Sequence, residues 1–165
     1  MKTTTVWMAL LALAAIVPAT SFGHARLRLD GNVPPRNNST GLKSGPCGGI
    51  ARTNTPKVLT AGQQLTIQWE QVINHPGYYR IAFSPSGDTG FDDNVLVPMF
   101  QNTIGQQFFE TTITVPSTPC TNCTIQLIQY MTENDPPSLY YSCGDIEIRA
   151  AGSNPVPTST PNCAK

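Results

Sequence analysis

Apolar and polar residues alternate along much of the chain in short runs with a period of two. In "QLTIQWEQV" (64–72), Leu65, Ile67 and Trp69 fall on one face and Gln64, Thr66 and Gln68 on the other. "YYRIAFS" (78–84) sets Tyr79, Ile81 and Phe83 against Tyr78, Arg80 and Ala82. "FETTITV" (109–115) sets Phe109, Thr111, Ile113 and Val115 against Glu110, Thr112 and Thr114. "TIQLIQYM" (124–131) and "LYYSCGDIEIR" (139–149) complete the series, with turn residues between the runs in "SPSGDTG", "VPSTPCTNC" and "TENDPPS". Side chains alternate across a strand, so each run predicts a half-buried strand. Beyond residue 23 no window carries a 3.6-residue stripe. Short strands with frequent turns predict an all-β fold, an immunoglobulin/fibronectin-III-like antiparallel β-sandwich with long loops.

Three stretches depart from the alternation. Residues 6–19, "VWMALLALAAIVPA", are continuously apolar, follow Lys2, and lead to the small residues Ser21 and Gly23. This is the pattern of a signal peptide over 1–23, with a secreted chain starting at His24. The run is shorter than the roughly 20 apolar residues a membrane span needs, and no later segment is apolar enough to be one. Residues 30–57 are rich in Pro, Gly and Asn and read as a long loop, a type of segment that is commonly functional. Residues 150–165 form a Pro/Ser/Thr tail too polar to build a core, which leaves 24–149 as the folded domain.

Composition narrows the function classes. Ten Lys and Arg balance ten Asp and Glu, so no basic field draws nucleic acid or anionic lipid. An exported chain permits disulfides. Cys120 and Cys123 bracket two residues in a turn, where a local bridge fits, and a zinc site would require a second such pair. Cys143 on the last strand is the natural partner for Cys47, tying the long loop to the sandwich. Cys163 remains outside these pairs.

The chain has two histidines, His24 and His75. A histidine at a free N-terminus is bidentate, because its α-amine and ring Nδ1 close a six-membered chelate. His75 precedes Pro76-Gly77 and lies on a turn at the sheet edge. Its imidazole would complete three nitrogens in one plane, a donor set that suits copper(II). The amine must lose its proton to bind, which is inexpensive near neutrality because α-amino groups titrate at about 7.7–8.0.

The exposed N-terminal His, the later His after a Trp-containing strand, the continuation "HPGYYRIAF" and the strand "YYSCGDIEI" together resemble lytic polysaccharide monooxygenases of the chitin-binding-type-4-like group. The resemblance implies one copper held by His24 and His75. It implies an axial aromatic at Tyr140, with Tyr141 turned to the opposite face, and a hydrogen-bonding role for Gln129. It also implies oxidation of an insoluble polysaccharide such as chitin or cellulose, using an external electron donor with O2 or H2O2, by a monomer. Substrate would lie on Tyr78 and Tyr79 beside His75, since Trp69 sits in a core pattern. A carboxylate near the metal would be Glu133. A non-catalytic histidine-brace protein that binds or traffics copper is the alternative, and a cell-surface structural or adhesion module is a second. The sequons at Asn37, Asn38 and Asn122 mark possible glycan sites in a secreted chain.

Overall fold

The computed structural model describes residues 24–152; the expected signal peptide, the distal tail and Cys163 lie outside the described residues. Eight strands are arranged in two sheets: β1 (Ala25–Leu27), β2 (Lys57–Thr60), β3 (Gln64–Gln71), β4 (Gly77–Ser84), β5 (Val95–Gln101), β6 (Phe108–Thr114), β7 (Cys120–Met131) and β8 (Ser138–Arg149). One sheet has the order β1-β3-β6, and the other β2-β8-β7-β4-β5. No helix is present among the described residues.

The sandwich closes on inward positions of the alternating strands, joined by Leu27 from the short β1. Leu27, Ile67 and Trp69 from the smaller sheet meet Ile81, Ile125, Leu127, Ile146 and Ile148 from the larger, each at most 2% exposed. Full burial of such a side chain stabilises the fold by about 1.5–3 kcal/mol before cavity and strain effects. Trp69 anchors the centre, stacked on Phe109 at 5.7 Å and edge-on to Tyr79 and Phe100 at 5.3 and 4.9 Å.

Three strands do not follow from the sequence pattern, and one overturns a detail of the expected architecture. β1 and β2 are too short to show a period. β5 is an edge strand that carries Pro98 and has register shifts against β4, the setting in which a strand tolerates proline. β2 runs parallel to β8, so the sandwich is not wholly antiparallel, and the loop expected over 30–57 yields its last residue, Lys57, to this strand.

β2 covers β8 only from Ile146 to Arg149. The long loop covers the remaining edge, with Arg36 N donating to Cys143 O and Tyr141 N to Leu42 O, both at 2.8 Å. An uncovered strand edge would leave those backbone groups open to other chains. A Cys47–Cys143 disulfide pins the same loop, and a Cys120–Cys123 bridge closes the start of β7. With the loop laid over the sheet, β7 is buried on both faces from Cys123 to Gln129.

Candidate metal centre

The end of the sandwich where β1 starts and β3 turns into β4 gathers both histidines. His24 is fixed through its backbone, its N donating to Thr40 O at 2.9 Å and its O accepting from Val72 N at 2.8 Å. Thr40 belongs to the long loop, so the loop positions one histidine. The β3–β4 turn positions the other, and Asn102 Nδ2 donates to His75 O. The turn depends on Gly77, whose φ is +150° and where a β-carbon would sit 1.9 Å from Tyr130 O. No other residue fits there without moving β7.

The three rings form a parallel array. His24 stacks on Tyr140 with centroids 3.5 Å apart and planes 11° apart, and on His75 at 5.0 Å and 11°. Tyr140 is 5% exposed and backs the array from β8. Its neighbour Tyr141 turns to the opposite face, as strand alternation requires. His24 Nδ1 is buried and has no hydrogen-bond partner. Burial, with the added repulsion of His75 and Lys43, lowers the His24 pKa to about 4. The ring is therefore neutral at physiological pH, and its lone pair is available. His75 Nδ1 lies 2.7 Å from Glu133 Oε2. A carboxylate accepts, so that nitrogen carries the proton and Nε2 is left free for a ligand bond.

The remaining sequence candidates separate. Gln129 pairs with Tyr140 in the β7–β8 register but is 2% exposed, and its Nε2 donates to Gln71 Oε1 at 3.2 Å. Its donor is thus directed into the interior, where Tyr79 Oη and Asn102 Nδ2 also donate to Gln71 Oε1 at 2.8 and 3.0 Å. Tyr79 is 0% exposed, which corrects its assignment to a substrate surface: it shares the inner face of β4 with Ile81 and Phe83. Tyr78 faces outward and stacks on Tyr130 at 4.5 Å rather than standing beside the histidines. Two residues of the site carried no sequence motif. Thr40 holds His24, and Lys43 Nζ lies 5.1 Å from the Tyr140 ring centroid. Both sit in the long loop, whose length was the only signal.

Two imidazoles facing each other at the end of an immunoglobulin-like sandwich, one of them at the start of the first strand, define a protein of the histidine-brace class. Within that class the chain belongs to the BIM1-like copper acquisition factor family, whose model matches residues 24–165. No curated protein sequence matches the chain. Among solved structures it is similar to the lytic polysaccharide monooxygenase AA15 from Thermobia domestica in the Cu(I) state, at 18% identity and a TM-score of 0.52, covering 67% of this chain and 77% of that one. It is also similar to a cellulose-active polysaccharide monooxygenase from M. thermophila, at 13% identity and a TM-score of 0.48, covering 67% and 61%. A chitin binding domain from Burkholderia pseudomallei gives 13% identity and a TM-score of 0.45, covering 58% and 57%. At such identities the likeness is one of fold.

The residues present fit copper. A buried imidazole nitrogen with no partner is costly unless something binds it, and His24 Nδ1 is such an atom beside a second imidazole. No three His, Cys, Asp or Glu side chains converge on one point among the described residues. A third strong donor would have to come from the main chain, and the nitrogen of His24 is the one at hand.

Proposed function

We propose that the chain is secreted, loses residues 1–23, and acts as a copper-binding protein that acquires or passes on the ion. The His24 α-amine, His24 Nδ1 and His75 Nε2 would hold it. The observation that carries this reading is the buried, unpartnered Nδ1 of a neutral His24 facing the His75 ring. The family match beginning at residue 24 and the small residues at 21 and 23 support processing at that point.

Bound there, copper would supply a redox-active Lewis acid. Each of the chain's own residues then has a separate task. Glu133 keeps the proton on His75 Nδ1 and so presents Nε2. Tyr140 fixes the plane of the His24 ring and closes one side of it to solvent. Thr40 O accepts from the His24 nitrogen and keeps it oriented when that nitrogen is an amine. Lys43 adds positive charge near the His24 ring and disfavours its protonation.

Oxidation of an insoluble polysaccharide, with an external reductant and O2 or H2O2, is the second reading; the aromatic ring packed against His24 favours it. Acquisition is preferred because, among the described residues, no aromatic platform stands beside the histidines. Tyr79 is buried, Tyr78 packs on Tyr130, and the exposed side chains of the adjoining loops include Val72 and Ile104. The two readings divide in one experiment on the secreted protein, with intact mass, copper affinity by competition, and product analysis on chitin, cellulose and xylan with ascorbate. A chain starting at His24, one tightly bound Cu(II) and no oxidised oligosaccharide are expected. Release of oxidised oligosaccharide would establish the second reading, and a chain that binds no Cu(II) would end both.

A further inference from the structure

We propose that a cleft on the outer face of β4, β7 and β8 binds a neutral saccharide of one or two pyranose units. The cleft holds about 440 Å³ and lies on the far side of β8 from the histidines. Tyr140 faces the histidine array and its neighbour Tyr141 lines the cleft, so the two sites stand back to back. A volume of this order suits a small ligand.

The walls have one chemistry and the rim another. Tyr130 and Tyr141 from the strands and Phe91 from the 85–94 loop supply rings. Tyr78 stacks on Tyr130 at 4.5 Å and 9°, which holds that ring in place from outside the cleft. The loop at Gly45–Pro46 forms the opposite lip and approaches closely, for a β-carbon on Gly45 would lie 3.2 Å from the Tyr141 ring and hydroxyl. On the floor Gln126 is 2% exposed; its Nε2 donates to Pro46 O at 2.8 Å and its Oε1 has no partner in the protein. A buried amide oxygen without a donor is an acceptor in search of one, which a ligand hydroxyl supplies directly or through one water.

The charges decide the ligand class. Arg80 Nη2 is paired with Asp92 Oδ1 at 2.8 Å and donates to Phe91 O. Asp88 is paired with Arg36 at 2.6 Å. The lining therefore offers hydrogen-bonding groups but no uncompensated charge, and an anion or cation gains little there. A long apolar ligand would leave Gln126 Oε1 without a donor and shut water away from the Arg80–Asp92 pair. A pyranose has an apolar C–H face for an aromatic ring and a rim of hydroxyls for amide, guanidinium and carboxylate, and this cleft presents both.

The test is independent of copper. The secreted protein, labelled with 15N, is titrated with diacetylchitobiose, cellobiose, laminaribiose and mannobiose, each to about 10 mM, the weak end of specific affinity. At least one disaccharide is expected to shift amides at Phe91, Gln126, Tyr130 and Tyr141 while leaving those at Val72 and Ile104 in place. Tyr141→Ala should weaken that disaccharide about tenfold through loss of one ring face. Tyr141→Phe should stay within about threefold of the parent because the ring remains. Amide resonances that stay in place away from the cleft in both variants show that they are folded. The proposal is overturned if none of the four sugars shifts the cleft, if shifts appear only around the histidines, if sulfate binds the cleft and sugars do not, or if folded Tyr141→Ala binds as well as the parent.

Discussion

On the outer face of β8, Arg36 and Asp145 are buried to 2% and 1% side-chain exposure, while at the end of the same strand His24, Tyr140 and Gln129 form a second sequestered polar group. The two follow opposite rules. In the first, Arg36 donates to Asp145, Asp88, Thr124 and Ile50 O. Asp145 also accepts from Thr53 N at 2.7 Å and pairs with Arg52 at 2.9 Å. In the second, His24 Nδ1 and Gln129 Oε1 have no partners at all. A saturated cluster fixes the long loop to the sheet and has no capacity left for a ligand. An unsaturated one retains that capacity at a cost in stability, which is how a binding site differs from a staple.

Breaking the saturated cluster should have the largest effect. Asp145→Ala leaves the Arg36 charge buried with fewer partners, and removal of one member of a buried pair costs about 3–5 kcal/mol. Urea or guanidinium unfolding of the metal-free protein measures it. Replacing Arg36 and Asp145 together by Met and Leu should recover much of the loss, since the remaining Asp88 and Arg52, 3.9 Å apart, still pair with each other. A loss below about 1 kcal/mol for Asp145→Ala would place this pair among those with little net effect and remove the contrast.

The unsaturated cluster should respond in the reverse manner. His24→Ala is expected to change the stability of the metal-free protein by no more than about 1 kcal/mol, the common size of a point-mutant effect. The same change should weaken Cu(II) binding on the order of a hundred- to a thousandfold, about 3–4 kcal/mol. One residue added ahead of His24 in a chain that starts there should be nearly as damaging to copper binding, because an amide replaces the amine. Competition titration against a chelator of known affinity reads both variants. Equal copper affinity with the added residue would show that the main-chain nitrogen takes no part.

Glu133 tests whether the array is ordered by a neighbour that does not itself bind the ion. Glu133→Gln retains the side-chain shape but gives His75 Nδ1 a weaker acceptor. Loss of such a partner behind a metal-binding histidine costs about 10–100-fold in affinity. The electron paramagnetic resonance signature of bound Cu(II) should shift while the fold is retained. An unaltered spectrum and affinity would reduce the 2.7 Å contact to a surface pair.

The sequence made five of the eight strands legible, because β3, β4, β6, β7 and β8 are long enough to show a period of two. β1 has three residues and β2 four, too few to alternate visibly, and β5 carries a proline within its run. The sequence also held a correction to one of its own readings. Tyr79 shares parity with Ile81 and Phe83, so a core position followed from the same alternation that defined the strand; nearness to His75 in the chain was the weaker guide. His24 and His75 were legible as the only histidines of a secreted-type chain. Thr40 and Lys43 were not, because a loop has no period, and which of its residues returns to the site is decided by tertiary contacts such as the Cys47–Cys143 bridge and the buried Arg36.

The smallest effect expected is on the pH dependence of the metal-free fold. The His24 pKa is near 4 in the folded protein, lowered first by burial and then by His75 and Lys43, against about 6.5 for an exposed imidazole. Between those values the unfolded chain binds a proton that the folded chain does not. Stability must therefore decline as pH falls from about 6.5 towards 4, and this contribution levels off below that. Asp88 acts in a separate window. Burial pushes its carboxyl up, but hydrogen bonds from Arg36 and Thr124 outweigh that and hold it below 3.8, so its contribution is lost only at lower pH. Unfolding free energies at pH 7, 6, 5 and 4.5 for the parent and His24→Ala separate the two groups. The parent should lose more stability than the variant across this range. Bound copper should steepen the parent's decline, because protons then compete for the same Nδ1. Parallel curves for metal-free parent and variant would mean that the folded His24 takes up a proton as readily as the unfolded one, and the nitrogen that separates this cluster from the Arg36 cluster would not be the desolvated atom the comparison requires.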